Sequence, residues 1–367
     1  MTGSRAHLVL VPGFGGFDVL GPLAYFRNVV ATVRKTGRLT VHTFQNLPTA
    51  GVETRARALH TYLAQCVDTG EVRTGDEIHL VGHSTGGLDA RRLLSELDAG
   101  GLTHAALLRA AIRSVQFLST PHRGSNLAWI AHRLHPLPNL AVRAVFVSLV
   151  TLGPLFWVTL GKVLRRARLV SGRERRDLMD AVVDILADAG SLGAGFERAQ
   201  ARSVFYALLR YASELGEDAG ALVDLCPTSE SAKTSEWSSR LAVRSIVTRA
   251  AVPAGERVGL FPLLDRLMRL TPPAALGEPC VLSSLLQPGE QHAVGLTDHD
   301  GVVSSVSMVW PDAARSFLVD ADHADVIGHY EGSGGYDLLR SGSRFSDAEF
   351  VALWGDMTRF ALGASAS

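Results

Sequence analysis

The stretch Ile78-His79-Leu80-Val81-Gly82-His83-Ser84-Thr85-Gly86-Gly87-Leu88 constrains the fold more than any other part of the chain. An apolar, β-capable run ends on a serine set between two glycines, and a helix-compatible stretch, residues 88–97, follows at once. Gly82-His83-Ser84-Thr85-Gly86 fits G-x-S-x-G, the turn that lifts a serine hydroxyl above the end of a parallel sheet. The serine's backbone in such a turn is strained, so a side chain two residues to either side would strike the neighbouring strand or helix. Glycine has no Cβ and fits there. In a chain with 36 glycines the bare pattern can arise by chance. The strand before it and the helix after it are what give it meaning.

Around that turn the strand and helix patterns alternate. Residues 7–11 read as a buried strand, 19–35 as a helix and 39–44 as a strand. Residues 52–67 carry Ala56, Leu59, Leu63 and Val67 at helical spacing, and 77–81 and 114–118 are strand-like. Such alternation predicts an α/β fold, a mainly parallel central sheet flanked by helices. Residues 241–247 and 315–319 resume the strand pattern after a long interval, with a proline-rich, loop-like stretch between them. Ser346-Asp347-Ala348-Glu349 has capping-box spacing and opens a final helix, 346–362, whose face Phe350, Leu353, Trp354 and Phe360 closes the sheet.

The interval is residues 126–239, which divides the core into an N-terminal part (1–125) and a C-terminal part (240–367). Its pattern is largely helical, with arginines clustered at 165–168 and 173–176. Residues 144–161 carry no charge over the length of a short membrane helix. A transmembrane span is barely accommodated, because Gly153-Pro154 breaks its middle. A buried pair of core helices is a second reading. The preferred one is two apolar helices hinged at Gly153-Pro154 that cap a site and meet apolar substrate.

Composition narrows the field further. Hydrophobic residues at 47% and charged residues at 20% describe a chain able to bury a sizeable core. Thirty-six basic residues balance 36 acidic ones, so nothing in the charge favours nucleic acid. Cys66, Cys226 and Cys280 are widely spaced, form no zinc pattern and allow at most one internal disulfide. Residues 1–6 leave no room for a leader before the first strand, so the expectation is a cytoplasmic protein or a mature form written without its leader.

A serine hydroxyl is a poor nucleophile until a base takes its proton, and the imidazole in turn needs a carboxylate to hold its tautomer. Where the serine sits on this kind of turn, the chain order is serine, acid, histidine. Among 13 histidines, those on the loop after the last strand are His323 and, less well placed, His329. The bland alternative for His323 is a surface histidine among Asp320, Asp322 and Asp325. The acid is Asp298 or Asp300. Asp300 stands before Gly301 and two valines, a tight turn that aims a carboxylate inward, whereas Asp298 suits capping the turn. Pro12-Gly13-Phe14-Gly15-Gly16 lacks both G-x-G-x-x-G and a Gly-Lys-Ser/Thr ending, so it is no phosphate loop. At that place the amide of Phe14, with that of Thr85, is suited to an oxyanion hole, a plain strand-to-helix turn being the alternative.

Together, Val11-Pro12-Gly13-Phe14, Gly82-His83-Ser84-Thr85-Gly86-Gly87, Thr120-Pro121-His122-Arg123-Gly124-Ser125, Asp300-Gly301-Val302-Val303 and His323-Ala324-Asp325 resemble the bacterial lipase/esterase branch of the α/β-hydrolase superfamily. The resemblance implies an α/β-hydrolase fold with a helical cap at 126–239. It also implies a serine carboxylic ester hydrolase that needs no cofactor and uses Ser84, Asp300 and His323. The implied partner is a lipid-like or other apolar acyl ester, with transient contact between cap and lipid interface. Two features depart from the family. Pro12-Gly13 stands where His-Gly is common, which leaves the Phe14 amide available. Secreted relatives hold calcium with an aspartate at the Asp325 position, but His329 stands here where they supply a side-chain amide, so no metal is expected. Alternatives are an acyltransferase or thioesterase with the same triad, and a non-catalytic lipid-binding protein.

Overall fold

In a computed structural model of the chain, residues 4–13, 19–20, 23–47, 50–126, 128, 220–227, 237–251, 261–269, 276–333 and 337–364 are described. The Leu/Val-rich run near the N-terminus forms β1 (Ala6–Val11), followed by a short pair, β2 (Val19–Leu20) and β3 (Leu23–Ala24), and helix α1 (Val29–Arg34). Then come β4 (Thr40–Thr43), α2 (Val52–Asp68), β5 (Glu77–His83), α3 (Thr85–Ala99), α4 (Ala105–Ala111) and β6 (Ile112–Leu118). Short helices α5 (Gly220–Asp224) and α6 (Trp237–Arg240) precede β7 (Ala242–Arg249) and α7 (Phe261–Met268). The chain closes with β8 (Cys280–Ser284), β9 (Gln291–Val294), β10 (Ser316–Asp320) and α8 (Asp347–Ala364).

Eight strands make one sheet in the order β4-β1-β5-β6-β7-β10-β8-β9. Every pairing in it is parallel except β8 with β9. The chain leaves β1 for β4 on one side and returns to β5 on the other, so the strand order reverses between β1 and β5. Crevices open at such reversals, beyond the carboxyl ends of the strands.

Alternate residues of each strand face two helical layers. On one side Val9, Val11, Leu80, Val115 and Phe117 pack with Leu59 and Leu63 of α2 and Leu93, Leu94 and Leu97 of α3. On the other, Leu8, Leu10, Val81, Ile246 and Val319 meet Val29 and Val33 of α1 and Phe350, Leu353 and Trp354 of α8. Each such fully buried side chain contributes about 2 kcal/mol. The capping box that opens α8 forms: Ser346 N–H donates to Glu349 at 3.1 Å, and Ala348 N–H to Ser346 Oγ at 3.2 Å. Farther along α8, Trp354 Nε1–H donates to the Val326 carbonyl at 2.9 Å, tying the helix to the loop after β10.

The helix expected over 19–35 is corrected. The structure has β2, β3 and only Val29–Arg34 as helix, entered through Asn28 at φ 59°. Gly21-Pro22 cannot continue a helix, and asparagine tolerates the left-handed conformation that starts the later one. The loop-like stretch before β10 holds the hairpin β8–β9 and helix α7, whose Pro262 sits in the first turn, where its missing N–H costs nothing. Of the expected insertion 126–239, only Asn126, Ala128, 220–227 and 237–239 are described; the uncharged run 144–161 and the arginine clusters lie outside the described residues. The described ends pack on the core. Asp224 Oδ2 accepts from Val52 N–H at 2.6 Å, and Trp237 is buried among the α2 and α3 residues. Among the described residues no helix is long and apolar enough to cross a membrane. All three cysteines are free thiols.

Candidate active site

Ser84 joins β5 to α3 with φ 55° and ψ −130°, a strained backbone for a residue with a side chain. Its N–H donates to the Leu118 carbonyl of β6 at 2.9 Å, which holds the turn against the neighbouring strand. A Cβ on Gly82 would lie 2.5 Å from Gly87 Cα, and one on Gly86 only 2.3 Å from the Val11 carbonyl oxygen. The two glycines are therefore demanded by close backbone approach. Ser84 itself is 6% exposed, at the reversal point between β1 and β5.

Asp300 and His323 meet from separate loops. His323 Nδ1 lies 2.6 Å from Asp300 Oδ2, and the His323 N–H donates to the Asp300 carbonyl at 3.0 Å. Asp300 is fully buried; its Oδ1 accepts from Val302 N–H at 3.0 Å and Val303 N–H at 2.8 Å, while Thr248 Oγ1–H donates to Oδ2 at 2.7 Å. Burial disfavours its charge, but the facing His323 and these donors outweigh that and hold the carboxyl below the usual range. An ionised carboxylate only accepts, so His323 Nδ1 carries the proton and Nε2 the lone pair. Asp298 does something else: its Oδ2 takes the Gly295 N–H at 2.9 Å and stays in its own turn. His329 also turns away, its Nε2–H donating to the Ala24 carbonyl at 3.0 Å.

The residue preceding the serine binds the two sides together. His83 Nε2–H donates to the His323 carbonyl at 3.1 Å, and the two rings stand 4.6 Å apart. On its other nitrogen, Nδ1, it receives the Tyr25 hydroxyl at 2.7 Å, and the Tyr25 oxygen accepts the Gly13 N–H at 2.8 Å. Burial, and then the nearby His323, drive the His83 pKa well below the ordinary histidine value, so the ring is neutral and serves as one donor and one acceptor. A buried ion pair supports the loop after β1. Arg55 Nε and Nη2 contact Asp89 Oδ2 at 3.1 and 2.7 Å, and Arg55 Nη2 also donates to the Pro12 carbonyl at 3.2 Å. Asn46 Nδ2 donates to the same Asp89 oxygen at 2.7 Å. Sequence reasoning missed Tyr25, Asn46, Arg55 and Asp89. The one available signal was Arg55 on the apolar face of α2 beside Ala56 and Leu59, since a buried arginine needs a carboxylate.

Thr85, the first residue of α3, has a backbone N–H without an intrahelical acceptor, as all first-turn amides do. Phe14 lies outside the described residues. Gly13, its neighbour, passes so near the serine that a Cβ there would sit 2.5 Å from Ser84 Cβ.

Behind His323, carboxylate oxygens of Asp322, Asp325 and Asp337 lie within 4.8 Å of one another. Burial first, and then the charge of Asp337 on Asp322 and of Asp322 on Asp325, push both above the usual carboxylate range. An all-oxygen, acidic donor set of this kind suits a hard cation such as calcium. Asp337 completes this set, and His329 is not in it.

No protein-family model and no curated protein sequence matches the chain. Solved structures do resemble it. Lipase 1 from Pelosinus fermentans is 16% identical with a TM-score of 0.51, over 98% of this chain and 99% of that one. Staphylococcus hyicus lipase is 14% identical with a TM-score of 0.54, over 100% and 97%. EstA from Clostridium botulinum is 14% identical with a TM-score of 0.50, over 98% and 88%. At these identities the likeness speaks for the fold: a mostly parallel eight-stranded sheet with flanking helices, of the α/β-hydrolase type.

Proposed function

We propose that the protein is a serine carboxylic ester hydrolase acting on lipid-like or other apolar acyl esters. One observation carries the reading: an ionised Asp300 bonded to His323 Nδ1, on a loop that His83 joins directly to the strained Ser84 turn. A serine in that backbone, beside an imidazole with an oriented tautomer, is costly to build and serves nucleophilic catalysis.

Ser84 Oγ attacks the ester carbonyl carbon while His323 Nε2 takes its proton. Asp300 keeps the ring in place and stabilises the imidazolium. The amides of Thr85 and Phe14 donate to the oxyanion, each such donor worth about 3–4 kcal/mol in the transition state. The alcohol leaves with the proton from His323, and a water deprotonated by the same nitrogen releases the acid and restores Ser84. A calcium ion, if bound, would be held by Asp322, Asp325 and Asp337; it would offset their mutual repulsion and stiffen the loop that carries His323. The preference for apolar acyl groups rests on the uncharged run 144–161 in the proposed cap, 126–239.

The test is hydrolysis of p-nitrophenyl esters of graded chain length, with and without an oil–water interface. Ser84→Ala should abolish turnover while circular dichroism stays that of the parent; undiminished turnover overturns the assignment. A competing alcohol in the assay reads out acyl transfer, and acid as the main product is the expected result.

A further inference from the structure

At the sheet edge opposite Ser84 lies a second group of chemistry-bearing side chains that the proposed reaction does not use. His7 of β1 and His42 of β4 stand on the same face, since Val9 is the register partner of His42 and His7 that of Thr40. Tyr62 and Cys66, four residues apart on α2, cover them. Past the end of α2 the chain folds back, with Val72 N–H donating to the Cys66 carbonyl at 2.9 Å, and this brings Glu71 over the cysteine. Ligand atoms of His42, Cys66 and Glu71 all lie within 4.8 Å of one another.

The tautomer of His42 follows from its neighbours. Asp76 accepts from Arg5 N–H at 3.0 Å, Arg5 Nη2–H at 2.8 Å and Arg73 N–H at 3.0 Å. Burial opposes its charge, but these donors prevail and keep it ionised. An ionised Asp76 can only accept, so His7 Nε2, 3.4 Å from Asp76 Oδ2, is the protonated nitrogen. His7 Nδ1 is then an acceptor, and His42 Nε2, 2.8 Å away, must donate to it. This leaves the lone pair of a neutral His42 on Nδ1, facing the Glu71 carboxylate at 3.6 Å and the Tyr62 hydroxyl at 3.2 Å. Carboxylate, imidazole lone pair and thiol thus converge, with a carboxylate–histidine relay behind the imidazole. Metal-binding histidines are held in this way.

We propose that His42 Nδ1, Cys66 Sγ and a Glu71 carboxylate oxygen form a site for one divalent transition-metal ion of the zinc class. Sulfur and imidazole ligands select such ions over calcium or magnesium. Zinc–ligand bonds of about 2.0–2.3 Å in a tetrahedron put neighbouring ligand atoms roughly 3.3–3.6 Å apart, close to the His42–Glu71 separation of 3.6 Å. Water or the Tyr62 hydroxyl takes the fourth position. On binding, the Cys66 S–H bond breaks, a sulfur–metal bond forms and the proton passes to water. Glu71, whose side chain is 52% exposed, offers the ion a route in from solvent. The ion clamps the end of α2 onto β4 and takes no part in ester hydrolysis.

The experiment is titration of the chelator-treated full chain with Co²⁺, followed by competition with Zn²⁺. One Co²⁺ per chain should bind with a near-ultraviolet thiolate-to-cobalt band and the visible bands of a tetrahedral ion, and Zn²⁺ should remove both. Cys66→Ser should lose the thiolate band, while the Cys226→Ser/Cys280→Ser double variant should keep it. Glu71→Gln, at a half-exposed position that does not endanger the fold, should weaken binding at least about tenfold. If Cys66→Ser does not fold, the rise in Tm on adding Zn²⁺, present in the parent and diminished in Glu71→Gln, decides. Absence of the band in the parent, its survival in Cys66→Ser, or unchanged affinity and Tm response in Glu71→Gln overturns the site. The Asp322–Asp325–Asp337 group cannot imitate the result, because it has no sulfur.

Discussion

Two carboxylate–imidazole relays stand at opposite edges of one sheet, and they differ in what the last ring stands beside. At the carboxyl edge, Asp300 fixes His323 by its Nδ1, and His83 ties the His323 backbone to a strained serine turn. At the amino edge, Asp76 fixes His7, which fixes His42, and the remaining lone pair faces a cysteine and a glutamate. In both, a carboxylate held ionised by several donors sets the tautomer of a ring it supports. The first relay is built from loops and ends at a backbone under strain. The second joins two strands and a helix to the turn between α2 and β5, which carries Glu71 and Asp76. In the proposed readings the same carboxylate–histidine device supports proton transfer where it ends beside a nucleophile and clamps the fold where it ends beside a thiol and a carboxylate.

That contrast makes the first edge costly for turnover and the second costly for stability. The largest expected effect is in Ser84→Ala, a loss of about 10⁶-fold in kcat with little change in Tm. Next comes Asp300→Asn, which keeps the shape but lets the ring take the wrong tautomer; kcat should fall about 10⁴-fold, read in the same ester assay. A large drop in Tm with either variant would break the contrast, since the first edge would then be holding up the fold.

Arg55→Ala should act on both quantities. It leaves Asp89 buried without its cation, which costs about 3–5 kcal/mol in chemical denaturation, and it frees the Pro12 carbonyl beside the serine. Smaller still is Asp76→Asn, about 2 kcal/mol, with hydrolysis near the parental rate. The pH dependence carries the sign. The folded carboxyl of Asp76 lies below its unfolded value, so its contribution is fully present above the ordinary carboxylate range and is lost as pH falls toward the folded value. Thermal unfolding of the parent should therefore weaken from about pH 5 downward, and Asp76→Asn should show a shallower acid slope.

How much of this was legible in the chain depends on how local the cause is. The turn at Ser84 is written in five adjacent residues: the collision that demands Gly82 arises within its own strand–helix unit, and the one that demands Gly86 comes from the end of the neighbouring strand β1. Asp300 and His323 are reachable from chain order, but their 2.6 Å contact is tertiary. The Arg55–Asp89 pair, the Tyr25–His83 link and the His42–Cys66–Glu71 group are assembled from segments that share no spacing. A search for cysteine patterns could not find the last of these, since only one of its ligands is a cysteine. The hairpin β8–β9 was missed for a different reason. Its strands are short and partly polar, and a place at the sheet edge tolerates that.

The most direct test of the central claim is labelling with a fluorophosphonate, with the modified residue mapped by mass spectrometry in the parent and in His323→Ala. One adduct is expected, on Ser84, formed at least about 10³-fold more slowly when His323 is absent. An adduct elsewhere, or equal labelling of Ser84 without the imidazole, would contradict it.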